Sequence, residues 1–168
     1  MSTTYNYRYG ELKDLEQLKK LGVKSWSQFL PQLSPKYGKG LIENLSNDET
    51  YLELLEKGKC FVCETAEKEL VGMGFLVSNG NPTEIYLKEW AQIRFITTDP
   101  DHSGQGIGSE LSRKCVELAR EVDETTIALH TSEMMSNAMH IYEKLGFVRF
   151  KEIPSRMGKR YWLYLLKL

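Results

Sequence analysis

The spacing of apolar residues changes along the chain from helical to strand-like. Aromatic and polar residues alternate from Tyr5 to Tyr9, which is typical of a short strand. Leucines three residues apart predict a helix over Glu11 to Trp26. A loop with two prolines then leads into a second short helix within residues 27–47, and residues 48–57 predict a third helix. The first third of the chain is therefore expected to be mainly helical.

Short strand-like runs begin at residue 60. The runs at 60–64 and 71–78 are separated by a charged turn and predict a β-hairpin, and residues 90–98 predict another strand. The remaining predicted elements are, in order, a helix over 107–122, a strand over 125–130, a helix through 134–145, and strands at 147–152 and 161–166 around a turn at 154–158. Ser132 is expected to cap the second of these helices and Gly146 to end it.

This order of elements predicts one α/β (α+β) domain over residues 1–168, with a mixed sheet flanked by helices. Neither a repeat nor a linker divides the chain. The last strand, residues 161–166, is apolar on both faces, so it is expected to be central in the sheet or covered by a partner chain.

Charge and apolar content argue against two classes of partner. Lys and Arg number 22 against 23 Asp and Glu, without a basic stripe, so a nucleic-acid partner is not expected. The first residues lack the apolar stretch of a signal peptide, and no segment approaches the ~20 apolar residues that span a bilayer. We therefore expect a cytoplasmic protein with no membrane partner.

The cysteines do not predict a metal site or a disulfide framework. Cys60 and Cys63 form a C-x-x-C, but they lie in a predicted strand, where positions three apart point to opposite faces. No second pair completes a four-ligand set for zinc. With Cys115 the count is odd, and we expect all three to be core or near-core residues and no metal to be bound.

A glycine-rich loop between a predicted strand and a predicted helix is the strongest functional signal. Its residues are Ser103, Gly104, Gln105, Gly106, Ile107 and Gly108. Glycines let backbone N–H groups approach a ligand closely, and the following helix adds unpaired donors and a positive dipole end. Together they form a seat for a pyrophosphate.

Other glycine motifs fit this loop poorly. A dinucleotide-binding fingerprint would need glycine at the position of Ser109 or Leu111. A P-loop would end in Gly-Lys-Ser/Thr, and this loop contains no lysine. Considered alone, the loop is best interpreted as an ordinary tight turn.

A second motif about 30 residues later favours the phosphate seat. Residues 137–147 read Asn-Ala-Met-His-Ile-Tyr-Glu-Lys-Leu-Gly-Phe. This is similar to a pattern of the GNAT acetyltransferase superfamily, Asn-x-x-Ala-x-x-x-Tyr-x-x-x-Gly-Phe, although Ala138 directly follows Asn137. The loop resembles the family's Arg/Gln-x-x-Gly-x-Gly/Ala, with Ser103 at the position of the usual long donor. The resemblance covers residues 90–150 by motif and the first half by element order only.

The resemblance implies a mostly antiparallel central sheet and a cofactor, acetyl-CoA. The backbone amides of the 103–108 loop would bind the pyrophosphate of coenzyme A. Ile96, Thr97 and Thr98 would pair with the pantetheine arm through main-chain groups, with an N–H near residue 96 facing the thioester oxygen. Asn137 would bind the pantetheine arm or a water. The alternative is that Asn137 is a solvent-facing polar residue with no such role.

Acetyl transfer to an amine requires a neutral nucleophile and a proton for the leaving thiolate. The resemblance implies that Tyr142 donates the proton to the leaving thiolate. The alternative interpretation is that this tyrosine only packs against the sheet. For the base, His130 and Glu89 are candidates, and a solvated or structural role remains open for each. Trp26, Phe29 and Tyr37 are expected to line the acceptor pocket, or else to be core or lid residues.

The expected reaction moves an acetyl group to a primary amine of a small molecule or peptide by direct attack in a ternary complex. Two rival interpretations remain from the sequence. One is an acyl-CoA-binding module of the same fold with little or no transferase activity, and the other is an enzyme for a larger acyl-CoA. A homodimer is possible, since relatives often pair.

Overall fold

The computed structural model describes residues 4–168. Its helices are α1 (Leu15–Trp26), α2 (Pro35–Leu45), α3 (Asp48–Lys57), α4 (Ile107–Glu121) and α5 (Ser136–Lys144). Its strands are β1 (Tyr5–Gly10), β2 (Gly58–Thr65), β3 (Leu70–Val77), β4 (Ala91–Thr98), β5 (Thr126–Ser132), β6 (Val148–Arg156) and β7 (Lys159–Lys167). Short 3₁₀ turns precede α1, follow it, and precede the glycine loop.

The strands form one seven-stranded sheet in the order β1-β2-β3-β4-β5-β7-β6. Every neighbouring pair is antiparallel except β4 and β5, which are parallel. This parallel pairing is limited to Ala91 with Ile127 and Gln92 with Ala128. Beyond these pairs the two strands no longer share a ladder, so the sheet opens between the carboxyl halves of β4 and β5. This opening positions the site described below.

Helices cover both faces of the sheet, as the mixed element order predicts. On one face α4 and α5 pack over a cluster that includes Cys63, Leu111 and Cys115, and on the other α1 and α3 pack over a cluster that includes Leu18 and Cys60. Cys60 and Cys63 thus lie on opposite faces of β2, as predicted. All three cysteines are buried and unbridged.

The last strand, β7, lies between β5 and β6. An interior position accounts for its apolar residues on both faces, so no partner chain is needed to cover them. The edge on this side of the sheet is instead β6, whose residues are mostly exposed.

Two details of the sequence interpretation are wrong. Ser132 does not cap α5, because it is the last residue of β5, paired with Tyr161, and the helix begins at Ser136. Its hydroxyl accepts from the Met134 backbone N–H instead. Pro154 is not in a turn, because β6 continues to Arg156; an edge strand tolerates proline, and the register of β6 shifts at this point.

None of the helices within residues 4–168 has the length and apolar character needed to cross a membrane.

Candidate active site

The opening between β4 and β5 contains a central cavity of about 560 Å³. Helix α2 and the β6–β7 turn cover it, and α5 forms one wall. The lining residues are Trp26, Lys36, Tyr37, Gly40, Leu41, Asn44, Leu45, Ile93, Arg94, Phe95, Ile96, His130, Thr131, Met135, Ala138, Tyr142, Arg156, Met157 and Tyr161. Trp26, Tyr37, His130 and Tyr142, four predicted site residues from distant parts of the chain, therefore meet in one cavity.

A bulge in β4 forms part of the cavity wall. The register against β3 shifts between Met73 and Phe75, and Phe95 takes a positive φ of 54°. A bulge leaves backbone groups outside the ladder, and a positive φ in a bulky residue is a strained conformation that is concentrated at functional sites. The residues before the bulge, Ile93 and Arg94, and the residue after it, Ile96, all line the cavity.

A narrower groove of about 260 Å³ adjoins the central cavity. Trp26, Ile96, Met135 and Ala138 line both. The other lining residues of the groove are Ser25, Gln28, Phe29, Thr97, Thr98, Pro100, Ser103, Gly108, Met134, Ser136, Asn137 and Ile141. Six of the predicted cofactor positions, Ile96, Thr97, Thr98, Ser103, Gly108 and Asn137, thus share one groove between β4 and α5, and Phe29 lies in this groove rather than in the central cavity.

The glycine loop has the backbone conformation of an anion seat. Gly104 and Gly106 both have φ of +76°, and Gly106 is the N-cap of α4. A Cβ added at either would meet nothing within 4 Å, so their surroundings are open to a ligand. Gly108 is constrained differently, since an added Cβ would approach Ile141 Cδ1 at 3.4 Å. Positive φ and an exposed helix start fit the predicted phosphate seat.

An ion-pair cluster fixes the loop to α1. Lys24 Nζ lies 2.8 Å from both Asp99 Oδ2 and Asp101 Oδ2, and these hydrogen bonds raise the pKa of Lys24. Asp99 is buried and caps the 3₁₀ turn by accepting from the Asp101 N–H. One residue further along α1, the Ser25 hydroxyl donates to the Thr98 carbonyl at 2.9 Å. The end of β4 and the start of the glycine loop are therefore held against α1.

Tyr142 lies in α5 one turn after Ala138 and faces the central cavity. Its side chain is buried, and burial raises the pKa of the phenol, so the hydroxyl keeps its proton at neutral pH. No residue from 4 to 168 forms a hydrogen bond with this hydroxyl. The group is thus a protonated, uncommitted donor in the cavity wall.

His130 lies on β5 in the wall of the same cavity. Burial, reinforced by the positive charges of Arg94 and Arg156, lowers the pKa of its ring to about 3. Its Nδ1 shares a hydrogen bond with the Tyr86 hydroxyl. His130 is therefore neutral at physiological pH and acts as a hydrogen-bonding group rather than as a cation.

The remaining predicted residues are less closely involved. Glu89 lies in an exposed loop before β4 and lines neither the groove nor the cavities. Gln105 is an exposed residue of the glycine loop. Ile107 is instead buried in the core and anchors the start of α4.

The chain matches the family model described as Acetyltransferase (GNAT) family over residues 23–147. The chain belongs to the GNAT acetyltransferase family. The matched region contains the β4–β5 opening, the glycine loop and Tyr142, so it includes the whole candidate site except Arg156, Met157 and Tyr161.

Curated relatives of this GNAT chain also carry acetyltransferase names. It is 32% identical to human N-acetyltransferase 8B over 60% of its own length and 44% of that protein. It is 28% identical to human N-acetyltransferase 8 over 76% of its own length and 52% of that protein. It is 29% identical to N-acetylaspartate synthetase of Xenopus tropicalis over 62% of its own length and 36% of that protein. The chain spans about half the length of the first two relatives.

Solved structures resemble the GNAT fold of this chain over nearly its whole length. The PaiA N-acetyltransferase of Thermoplasma acidophilum, crystallised in complex with coenzyme A, has a TM-score of 0.78 at 17% identity and covers 98% of this chain and 99% of its own. The ribosomal-protein-S18-alanine N-acetyltransferase of Escherichia coli has a TM-score of 0.68 at 17% identity and covers 98% of this chain and 94% of its own. At these identities the likeness establishes the fold alone.

Sequence reasoning missed several residues of this GNAT site. Arg94, Tyr86 and Arg156 were not singled out as site residues. Thr131 was also missed; it lines the central cavity, and its buried hydroxyl has no hydrogen-bond partner within residues 4–168. Only the alternation of polar with apolar residues at the start of β4 offered a signal, and Arg94 is the one charged residue of that strand.

Proposed function

We propose that this protein transfers an acetyl group from acetyl-CoA to a primary amine by direct attack in a ternary complex. The observation that carries the proposal is the adjacency of the groove and the central cavity. Ala138 lines both, and Tyr142, one helical turn later, presents its unpartnered hydroxyl to the cavity. A ligand that follows the groove from the glycine loop would reach the cavity beside this hydroxyl.

The residues of the groove fit coenzyme A. The open surroundings of Gly104 and Gly106, their positive φ and the exposed start of α4 suit the pyrophosphate. Backbone groups of Ile96 to Thr98 and the Asn137 side chain would hold the pantetheine arm. Ser103 offers a short hydroxyl in place of a long donor, so main-chain amides would carry most of the phosphate contact. Acetyl-CoA, when bound, supplies the activated acetyl group as a thioester.

Residues of the central cavity would assist the two proton transfers of the reaction, from the amine and to the leaving thiolate. In the transfer, the amine nitrogen would bond to the acetyl carbon as the carbon–sulfur bond breaks. The nitrogen would release its proton to water, from which Tyr142 would recover the proton that it gives to the thiolate. Arg94 and Arg156 disfavour a further positive charge in the cavity, which lowers the pKa of a bound ammonium and increases its neutral fraction. Tyr142 donates its proton to the leaving thiolate, and backbone N–H groups freed by the Phe95 bulge stabilise the developing negative charge on oxygen. His130 acts as a neutral ligand of the acceptor.

Direct attack is favoured over an acetyl-cysteine intermediate because no cysteine of the described residues reaches the cavity. The three cysteines are buried in the core, and none lines the groove or the cavities formed by residues 4–168. Burial raises the pKa of the Cys60 thiol to about 12 and raises the pKa values of Cys63 and Cys115. Such thiols are poor nucleophiles at neutral pH.

Mass spectrometry of protein and products tests this proposal. Protein incubated with acetyl-CoA alone should remain unmodified, and addition of an accepted amine should yield the N-acetyl product together with free coenzyme A. An acetylated protein that passes its label to the amine would contradict direct attack. Tight cofactor binding without product from a broad amine panel would indicate the binding module instead of an enzyme.

A further inference from the structure

The central cavity carries only positive formal charge. Lys36, Arg94 and Arg156 line it, and within the described residues no aspartate or glutamate does so. A cleft lined by charges of one sign concentrates ligands of the opposite sign. A ligand whose only charges are ammonium groups is repelled from such a cavity.

Arg94 has unused hydrogen-bonding capacity. It is half-buried on β4, where its Nη1 donates to Gln92 Oε1 at 3.2 Å and its guanidinium lies 5.8 Å from the centre of the Tyr86 ring. None of the ion pairs formed within residues 4–168 includes Arg94. Because a guanidinium has five N–H donors in a planar fork, most of the donors of Arg94 remain available to a ligand.

Arg156 approaches the same space from the end of β6. Its Nη2 lies 3.1 Å from Glu84 Oε1, in a pair whose side chains are 36% and 78% exposed. An exposed pair of this kind adds little stability and is easily exchanged for another carboxylate. Arg94, Arg156 and His130 all line both the central cavity and the neighbouring outer cavity, so the two guanidinium groups lie on the same part of the site.

The two arginines lie away from the cofactor half of the site. Both line the central cavity and an outer cavity of about 310 Å³, but neither lines the groove. Along β4, Arg94 precedes the bulge at Phe95, whereas the groove residues Ile96 to Thr98 follow it. The phosphates of the cofactor therefore have their own seat at the glycine loop, and the arginines remain for the acceptor.

We infer that the acceptor is a small amine that carries a carboxylate, with that carboxylate bound by Arg94 and Arg156 and the amine directed towards Tyr142. The inference rests on the proposed acetyl transfer and adds the class of acceptor. A planar guanidinium binds a carboxylate through two parallel hydrogen bonds, which fixes orientation as well as affinity.

The rest of the cavity specifies the body of this acceptor. Tyr37, Leu41, Met157 and Tyr161 provide an apolar wall beside the arginines. An α-amino acid with an apolar side chain satisfies both features, whereas a polyamine satisfies neither. The arginines thus act as specificity-determining residues that select against acceptors with several positive charges.

Matched acceptors test the inference in the intact chain. The rate of coenzyme A release is measured with L-leucine, L-methionine and L-phenylalanine, with the amide of each, and with spermidine. We expect kcat/KM to be about 10- to 100-fold higher for each acid than for its amide, the range of a charge-assisted hydrogen bond. Arg94→Gln and Arg156→Gln should each lower kcat/KM for the acids much more than for the amides, and so remove most of this preference. Arg120→Gln, an exposed residue at the end of α4, is the control for loss of one positive charge.

The outcomes separate this inference from the function on which it rests. Acetyl-CoA that fails to bind folded wild-type protein overturns the proposed function and this inference with it. Binding of acetyl-CoA with equal or faster turnover of amides or spermidine overturns the acceptor class alone, as does an absence of turnover for every acid. An equal loss for acids and amides in both arginine variants, with native circular dichroism, overturns the assignment of the carboxylate to Arg94 and Arg156.

Discussion

Tyr86 and His130 share a hydrogen bond between the tyrosine hydroxyl and Nδ1 of the imidazole, where the outer cavity meets the central cavity. The Tyr161 ring also packs against the histidine, with ring centres 5.9 Å apart. Arg94 and Arg156 line the same cavities as His130, and both lower the pKa of its ring. Glu53 and Glu84 also line the outer cavity, but neither forms a hydrogen bond or ion pair with His130 within the described residues.

This arrangement predicts a pH dependence of stability. Burial and the two arginines lower the pKa of His130 from 6.5 to about 3, so the unfolded chain binds the proton more readily than the folded chain. The contribution of neutral His130 is fully present above pH 6.5 and is lost as pH falls from 6.5 towards 3. We expect His130→Asn to lose less stability on acidification than wild type, by up to about 1.4 kcal/mol per pH unit.

Urea unfolding at several pH values between about 7 and 4 measures this difference. Carboxylates titrate in both proteins, so their effect cancels in the comparison. Parallel stability curves for wild type and His130→Asn would show that the histidine is not held neutral by its surroundings.

Removal of the Tyr142 hydroxyl should affect turnover more than binding. Tyr142→Phe keeps the buried ring but deletes the proton donor, so we expect kcat to fall by about 100-fold or more, with little change in KM for acetyl-CoA. Tyr164→Phe is the matched control, because Tyr164 is fully buried, accepts from Arg149 at 3.2 Å and lines none of the described cavities. Equal kcat values for the two variants would leave Tyr142 with a packing role only.

The buried carboxylate of Asp99 should support both stability and cofactor binding. Asp99→Ala removes the cap of the 3₁₀ turn and one partner of Lys24, and we expect it to lower the free energy of unfolding by about 1–3 kcal/mol. Acetyl-CoA should also bind more weakly, since the glycine loop begins four residues later. Asp101→Ala, which removes the exposed partner of the same lysine, should change both quantities much less. Similar losses in the two variants would contradict a special role for the buried carboxylate.

The sequence predicted those parts of the site that depend on local chemistry. Gly104 and Gly106 indicated positive φ before a helix, and the spacing to Tyr142 indicated the next helix; both signals lie within single short segments. The same local reasoning failed at Ser132, because pairing with β7 extends β5 past the expected cap. A side-chain capping preference is weaker than a continuous strand ladder.

The acceptor half of the site depends on contacts between distant segments. Arg94 and Arg156 are 62 residues apart in the sequence, and β5 and β7 lie between their strands in the sheet. Only the folded arrangement brings both side chains to the same cavities. The bulge at Phe95 likewise reflects the register of β4 against β3, which residue type does not encode, since a phenylalanine at positive φ contradicts local preference. Neither the pair of arginines nor the bulge could therefore be predicted from the sequence, because both depend on contacts between distant segments of the folded chain.

The central claim is that the glycine loop seats the phosphates of acetyl-CoA, and calorimetric titration of acetyl-CoA tests it most directly. The proteins to compare are wild type, Gly106→Trp, and Gly80→Trp as the matched control. Gly80 also has a positive φ, 91°, and open surroundings, but it lines none of the cavities described above. We predict that wild type and Gly80→Trp bind acetyl-CoA and that folded Gly106→Trp does not. No binding by folded wild type, or unchanged binding by Gly106→Trp, would contradict the claim.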